Sequence, residues 1–167
     1  MRVLMITAMA AVTIVMKLLI LYVVSSLSVV SPTHAEAQSN EADDWYRDQY
    51  APLWKENPWE KFELVAGYYD ETITLHPGDD VPSEIASRPW LEELIENWRL
   101  DGWLGSDVAR LQYDLLNPST ATFKVKWRDR YTDGREEHSC AWYLADLKVD
   151  SWLFTQYGEI DCEEHGL

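Results

Sequence analysis

Residues 121–131 read Ala121-Thr122-Phe123-Lys124-Val125-Lys126-Trp127-Arg128-Asp129-Arg130-Tyr131. Thr122, Lys124, Lys126, Arg128 and Arg130 fall on one parity. Phe123, Val125, Trp127, Asp129 and Tyr131 fall on the other. A period of two is the pattern of a strand with one wet face and one buried face. Turn-forming residues lie on both sides, at 117–120 and 132–134, and again at 147–151. Four strands are therefore expected, at 107–116, 121–131, 136–146 and 152–161, joined as an antiparallel sheet.

The turns suggest registers. A second hairpin centred on Asp133-Gly134 opposes Val125 to Trp142, Trp127 to Cys140 and Asp129 to His138. A first hairpin closed by Pro118-Ser119-Thr120 opposes Val125 to Tyr113 and Trp127 to Leu111. Both keep apolar residues on one face, as register selection demands. The outer face then carries the ladder Lys124, Lys126, Arg128 and Arg130, solvated and balanced by Asp114 opposite Lys124 and Glu137 opposite Arg130.

Upstream of the sheet the period changes to that of helices. Asn40 can cap a helix with Glu41, Asp43 and Asp44 in its first turn and with Tyr46, Tyr50, Leu53 and Trp54 at helical spacing. Pro52 should kink or shorten it. Asn57-Pro58-Trp59-Glu60 reads as N-cap, first-position proline and acid three residues on, starting a helix that runs to about Tyr69. Residues 72–76 alternate as a short strand ended by Pro77-Gly78. Ser87 can cap a third helix that puts Leu91, Leu94, Ile95 and Trp98 on one face, with Gly102 past its end.

The whole chain has 167 residues, 29 acids, 14 bases and a net charge of −15. An apolar fraction of 47% can form a core and excludes a wholly disordered chain. The acidic balance argues against nucleic acid or an anionic membrane surface as partner, because both require clustered Lys and Arg. Two cysteines make no disulfide scaffold. No P-loop, dinucleotide fingerprint, HExxH or GxSxG motif occurs, and neither a cofactor nor a metal is expected. The cluster Cys162-Glu163-Glu164-His165 holds metal-ligand residue types but reads as a tail.

Residues 1–37 read as an address. Lys17 precedes the apolar run from Leu18 to Val30, and Ala35-Glu36-Ala37 matches a signal-peptidase site. The expected start is Met16, with cleavage after Ala37 or Ala35. The run after Lys17 is shorter than the roughly 18–20 residues of a spanning helix, so the membrane is expected to be met only through the signal segment. Cleavage leaves 12 of the 14 bases and 28 of the 29 acids in residues 38–167, expected to be one secreted or periplasmic domain.

The order of helices and strands, with Asn57-Pro58-Trp59-Glu60-Lys61-Phe62 and Tyr68-Tyr69-Asp70-Glu71-Thr72-Ile73-Thr74-Leu75-His76-Pro77-Gly78, resembles the nuclear transport factor 2-like superfamily, which includes the SnoaL-like and ketosteroid-isomerase-like proteins. The likeness spans about residues 40–162. It implies an α+β, cone-shaped fold with three N-terminal helices packed on a curved, mainly antiparallel sheet. The isomerase branch places a general base at the end of the strand after helix two, where His76 falls. It takes an oxyanion-stabilising tyrosine from helix one, where Tyr50 falls. It adds an acid on the second-to-last strand. Here the expected inward residues of that strand are His138, Cys140, Trp142 and Leu144, so the sequence departs from that branch.

The residues themselves give a sharper pair. Asp129 opposite His138 would fix the imidazole tautomer and raise its basicity, or else form a cross-strand ion pair near the hairpin tip. His76 is a neutral-pH base or a strand-end histidine bonded to backbone. Trp54, Tyr69, Tyr113, Trp127 and Trp142, with Tyr50, line a ligand pocket or simply pack the core. Cys140 and Cys162 are expected as free thiols, roughly 10–13 Å apart along the last hairpin, although export favours a disulfide and a bulge or a tail folding back would join them. The leading expectation is a domain that binds a small apolar molecule between helices and sheet. The alternatives are a non-catalytic interaction module forming a homodimer through its sheet, and a cofactor-free isomerase, dehydratase or cyclase.

Overall fold

The computed structural model describes residues 41–78, 80–149 and 151–167. The expected signal segment, its Met16 start, its cleavage sites after Ala35 and Ala37, and the Asn40 cap lie outside the described residues.

The first helix, α1, changes pitch twice. Residues 41–44 are α-helical, Trp45–Tyr50 form a π-helix and Ala51–Trp54 a 3-10 helix. Pro52 has no N–H to donate, and its ring would crowd the carbonyl of Asp48 in a regular α-helix. The backbone widens before it, with the Ala51 N–H reaching Tyr46 O, and tightens after it. The changes of pitch turn Trp45, Tyr46, Tyr50, Ala51 and Trp54 all into the core. The second helix, α2, is a 3-10 turn Pro58–Lys61 followed by the α-helix Phe62–Ala66. The third, α3, is the α-helix Ser87–Leu100, with Leu91 and Ile95 buried and Trp90, Leu94 and Trp98 half-buried.

Six strands form one sheet: β1 (Tyr69–His76), β2 (Ser83–Ala86), β3 (Trp103–Asn117), β4 (Thr120–Tyr131), β5 (Glu136–Lys148) and β6 (Ser151–Glu159). Their order is β2-β1-β6-β5-β4-β3. Every pairing is antiparallel except β1 with β6. Register shifts at 103/105, 108/110 and 115/117 bend the long β3, and another at 144/145 bends the β5–β6 pair. The curved sheet buries Phe123, Val125, Trp127, Tyr143, Ala145, Trp152 and Phe154 against the helices. The architecture is the expected α+β cone with a mainly antiparallel sheet.

Several local expectations are corrected. Asn57 does not cap α2 through its side chain. It adopts a left-handed conformation, φ 47°, which asparagine tolerates better than most residues, and its N–H bonds Leu104 O at 3.0 Å. Tyr69 belongs to β1 and not to α2. Strand β2 was not foreseen, and β3 starts at Trp103 rather than at 107. Ser87 does not cap α3; its hydroxyl donates to Asp70 O at 2.5 Å, tying the helix to β1.

The register of β5 is the correction with the widest effect. Val125 opposes Ala141, Trp127 opposes Ser139 and Asp129 opposes Glu137, one residue from expectation. The turn is the reason. It has three residues, with Tyr131 N–H bonded to Arg135 O, Gly134 N–H to Tyr131 O, and Gly134 at φ +83°. A one-residue slip exchanges the faces of a strand. Ser139, Ala141, Tyr143 and Ala145 therefore lie inward, while His138, Cys140, Trp142 and Leu144 share the outer parity with the lysines. The first hairpin closes on Pro118-Ser119 and opposes Leu111 to Val125 and Tyr113 to Phe123, a slip of two that keeps the expected faces. The expected charge partners change with the registers: Lys124 opposes Gln112 and Trp142, while Arg128 and Arg130 approach Asp107 at 3.4 and 3.5 Å.

The new register also decides the cysteines. Cys140 and Cys162 form a disulfide with a Cα separation of 5.4 Å, against the expectation of free thiols. Beyond β6 the chain does not continue along β5. Ile160 N–H bonds Cys140 O, and Asp161 Oδ1 accepts from the N–H groups of Glu163 and Glu164, turning the tail back. Those two backbone donors hold the Asp161 carboxyl below its ordinary range. The tail then crosses the outer face: Lys126 Nζ donates to Leu167 O and Gln112 Nε2 to Gly166 O, both at 3.3 Å. Part of the basic ladder is thus covered by chain.

Gly105 has φ +138°, and a Cβ there would lie 2.5 Å from Lys55 O and 2.6 Å from Trp54 O. Gly105→Ala should destabilise the domain by about 2 kcal/mol or more in urea unfolding. Gly134→Ala, with open space around it, should cost only about 1 kcal/mol from its left-handed backbone. Reduction of the Cys140–Cys162 bridge should add ~2 Da to the mass. With its cysteines 22 positions apart in sequence, its loss should lower stability by about 3 kcal/mol.

Candidate functional site

A cavity of about 560 Å³ lies at the end of the sheet marked by the β4–β5 hairpin. Each wall traces to an element already described. Trp54 at the end of α1, Trp98 near the end of α3 and Trp103 at the start of β3 meet on one side. Their ring centroids are 5.0–6.2 Å apart. Trp127, Asp129 and Tyr131 come from the inward parity of β4; Tyr143 and Tyr157 come from β5 and β6. Strand β6 pairs β5 only from Ala141 onward, so residues 136–139 of β5 have no β6 partner. There the cavity opens, and Ile160, Asp161, Cys162 and Glu163 of the tail line its outer lip.

Asp129 is the polar centre. It is only 9% exposed. Ser106 Oγ donates to its Oδ1, and Ser139 Oγ donates to its Oδ2 at 2.7 Å. Trp103 Nε1 donates in turn to Ser106 Oγ at 3.1 Å. A buried carboxylate held by neutral donors keeps acceptor capacity for something else. It can anchor a donor or a cation on a bound molecule, or take a proton from one.

The expected site residues separate into two groups. Asp129, His138, Trp54 and Trp127 do line the cavity. The Asp129–His138 pair is not formed, because His138 opposes Arg128 and is exposed at the rim, while the carboxylate faces two serines. His76 does not line the cavity. It shares the outer parity of the sheet, with Nε2 2.8 Å from Gln156 Oε1 and its ring edge-on to Trp142 at 5.2 Å. Trp142 is on that outer face as well, moved there by the β5 register. Tyr50 and Tyr69 are core residues whose hydroxyls bond each other at 2.6 Å. Tyr113 packs on Phe123 with centroids 6.3 Å apart, away from the cavity wall.

Sequence reasoning missed Ser106, Ser139, Trp98 and Trp103 as site residues. Ser139 was legible had the turn been read as three residues ending in Gly134. Trp103 and Ser106 lie in the four residues by which β3 was read short. Among the described residues no three His, Cys, Asp or Glu side chains converge as a metal site, and no helix is long and apolar enough to cross a membrane.

No family model and no curated protein matches the sequence. Solved structures do. A scytalone dehydratase-like protein from Novosphingobium aromaticivorans is 12% identical with a TM-score of 0.57, over 77% of this chain and 87% of that one. A protein of unknown function from Mycobacterium tuberculosis is 12% identical with a TM-score of 0.59, over 80% and 77%. A nuclear transport factor 2-like protein with a cystatin-like fold, also from Novosphingobium aromaticivorans, is 14% identical with a TM-score of 0.54, over 79% and 90%. The chain thus has the nuclear transport factor 2-like fold, and at such identities the likeness is one of fold alone.

Removing the acceptor at the centre of the site, as in Asp129→Ala, should strand the Ser106–Trp103 chain and lower stability by about 1–3 kcal/mol in urea unfolding. Burial raises the hydroxyl pKa of Tyr46, Tyr50, Tyr69, Tyr143 and Tyr157 above the ordinary 10.0. Above that pH the unfolded chain loses these protons while the folded chain keeps them. Stability should therefore fall as pH climbs past 10. In an alkaline titration the tyrosinate absorbance of these five should appear only together with the loss of fold.

Proposed function

We propose that this chain is an exported domain that holds one small, largely apolar molecule in the cavity between its helices and sheet. The observation that carries the reading is a hollow of about 560 Å³ walled by four tryptophans and three tyrosines, with one buried carboxylate among them. Small-molecule sites are commonly of about 300–1,000 Å³, mainly apolar, with few and specific polar groups. The disulfide supports the exported part of the reading, because such bridges persist in oxidising compartments. So does the signal-peptide pattern of residues 1–37.

Asp129 favours a second reading, a cofactor-free isomerase or lyase in which this carboxylate takes a proton from the bound substrate. It differs from the first in one measurable respect: Asp129→Asn would abolish turnover and leave binding largely intact. The interaction-module alternative draws less support, since the tail lies across part of the sheet face a homodimer would use.

Native mass spectrometry of protein purified from its own compartment tests the first reading. The expected result is a chain beginning at Gln38 that carries a single small molecule, with the adduct lost in Trp127→Ala. A chain that keeps residues 1–37 would overturn export. A bare chain from every gentle preparation, with no response of tryptophan fluorescence to a mixed library of fragments, would overturn the binding reading.

A further inference from the structure

We propose that the molecule this cavity takes is an organic cation: an amine or quaternary ammonium carried on an aromatic or aliphatic body. The proposal rests on the ligand-binding reading above and adds the charge of the ligand.

Two independent features of the cavity lead to it. The first is an unbalanced charge. Asp129 is buried, and its two partners are serine hydroxyls, which offset part of the cost of burial but bring no positive charge. No Lys or Arg lines the cavity, and among the described residues no ion pair involves Asp129. Glu137, Glu159, Asp161 and Glu163 add carboxylates around it, against one histidine, His138. Arg135 lies over the ring of Tyr131 at 3.8 Å but is held by Asp101 and Glu137 at 2.9 and 2.8 Å, and Arg128, which opposes His138, is turned to Asp107 at 3.4 Å. The field in the cavity is thus negative. An anion entering it would meet uncompensated repulsion, and a neutral molecule would seal Asp129 from water without replacing the lost hydration.

The second feature is the wall. Trp54, Trp98, Trp103 and Trp127 line the space, and tryptophan is the aromatic side chain that attracts cations most strongly. Neighbouring Trp54 and Trp127 rings have centroids 6.4 Å apart, so one small ammonium group can lie within reach of more than one ring. Aromatic walls alone would suit any flat apolar ligand. Combined with a buried carboxylate that has no counter-charge, they suit a cationic one. The volume leaves room for an apolar body beyond the charged head.

Three probes of similar shape test the charge separately from the pocket: benzyltrimethylammonium, its uncharged carbon isostere neopentylbenzene, and benzenesulfonate. Binding is read by tryptophan fluorescence on the disulfide-intact protein. The cation should bind at least about tenfold more tightly than the isostere, with the anion weakest. The preference should shrink as salt is raised and should largely vanish in Asp129→Asn. Glu159→Gln, an exposed substitution, should weaken the cation and leave the isostere unchanged, so the proposal stays testable if the Asp129 variant does not fold. If the isostere binds as well as the cation, or the anion binds best, the cation proposal is wrong and the pocket reading stands. If none of the three binds at millimolar concentration, both fall.

Discussion

The left-handed backbone of Gly134 sets the site. A three-residue turn ending in that glycine opposes Arg130 to Glu136, and every later pair of β4 and β5 follows from it. With this register Ser139 faces Asp129 and Cys140 faces away from the core. A two-residue turn on the same residues would have put a cysteine where the serine donates and an alanine where the disulfide forms. The side chains of β5 would tolerate either choice, because both of its faces are rich in apolar residues: Ala141, Tyr143 and Ala145 on one, Cys140, Trp142 and Leu144 on the other. Hydrophobic burial alone discriminates weakly in such a strand, and local turn geometry decides.

The aromatic core then explains why a hollow survives at this end of the sheet. Tyr46 stacks on Phe123 at 4.8 Å, Tyr50 meets Phe154 at 4.6 Å, and Tyr143 meets Phe154 at 4.8 Å, filling the middle of the domain. The π-helical stretch before Pro52 is what brings Trp45, Tyr46 and Tyr50 onto one side. At the other end of the same helix, Gly105 lets β3 approach the carbonyls of Trp54 and Lys55 closely. The tryptophans gathered there stand edge to face and line the space that remains.

Much of this was legible in residues 121–131. Strict alternation fixed which side chains of β4 face inward, and Asp129 stood out as the one acid among them. The strand order downstream and the α3 face followed from periodicity and turn residues. Four things were not legible. Periodicity does not report helix pitch, so the π and 3-10 character of α1 was invisible, although Pro52 marked the place. Asn57 satisfies the composition of a cap and takes a left-handed conformation instead, since both roles suit asparagine. His76 was placed correctly at the end of β1, but only the pairing of β1 with β6 shows that it shares a face with Gln156 and Trp142. The cysteine distance failed for a different reason from the β5 register: the chain does not run straight on past β6, and Asp161 turns it back.

The bridge between Cys140 and Cys162 makes the outer lip of the cavity conditional on its chemical surroundings. The bridge fixes Cys162, and with it Asp161 and Glu163, at the opening, beside the hydrogen bond from Ile160 N–H to Cys140 O. In a thiol-rich cytosol the same polypeptide would complete its sheet and core but hold that border by hydrogen bonds alone. Recombinant material made there would present a looser lip, so the compartment of production selects which form of the cavity is being measured.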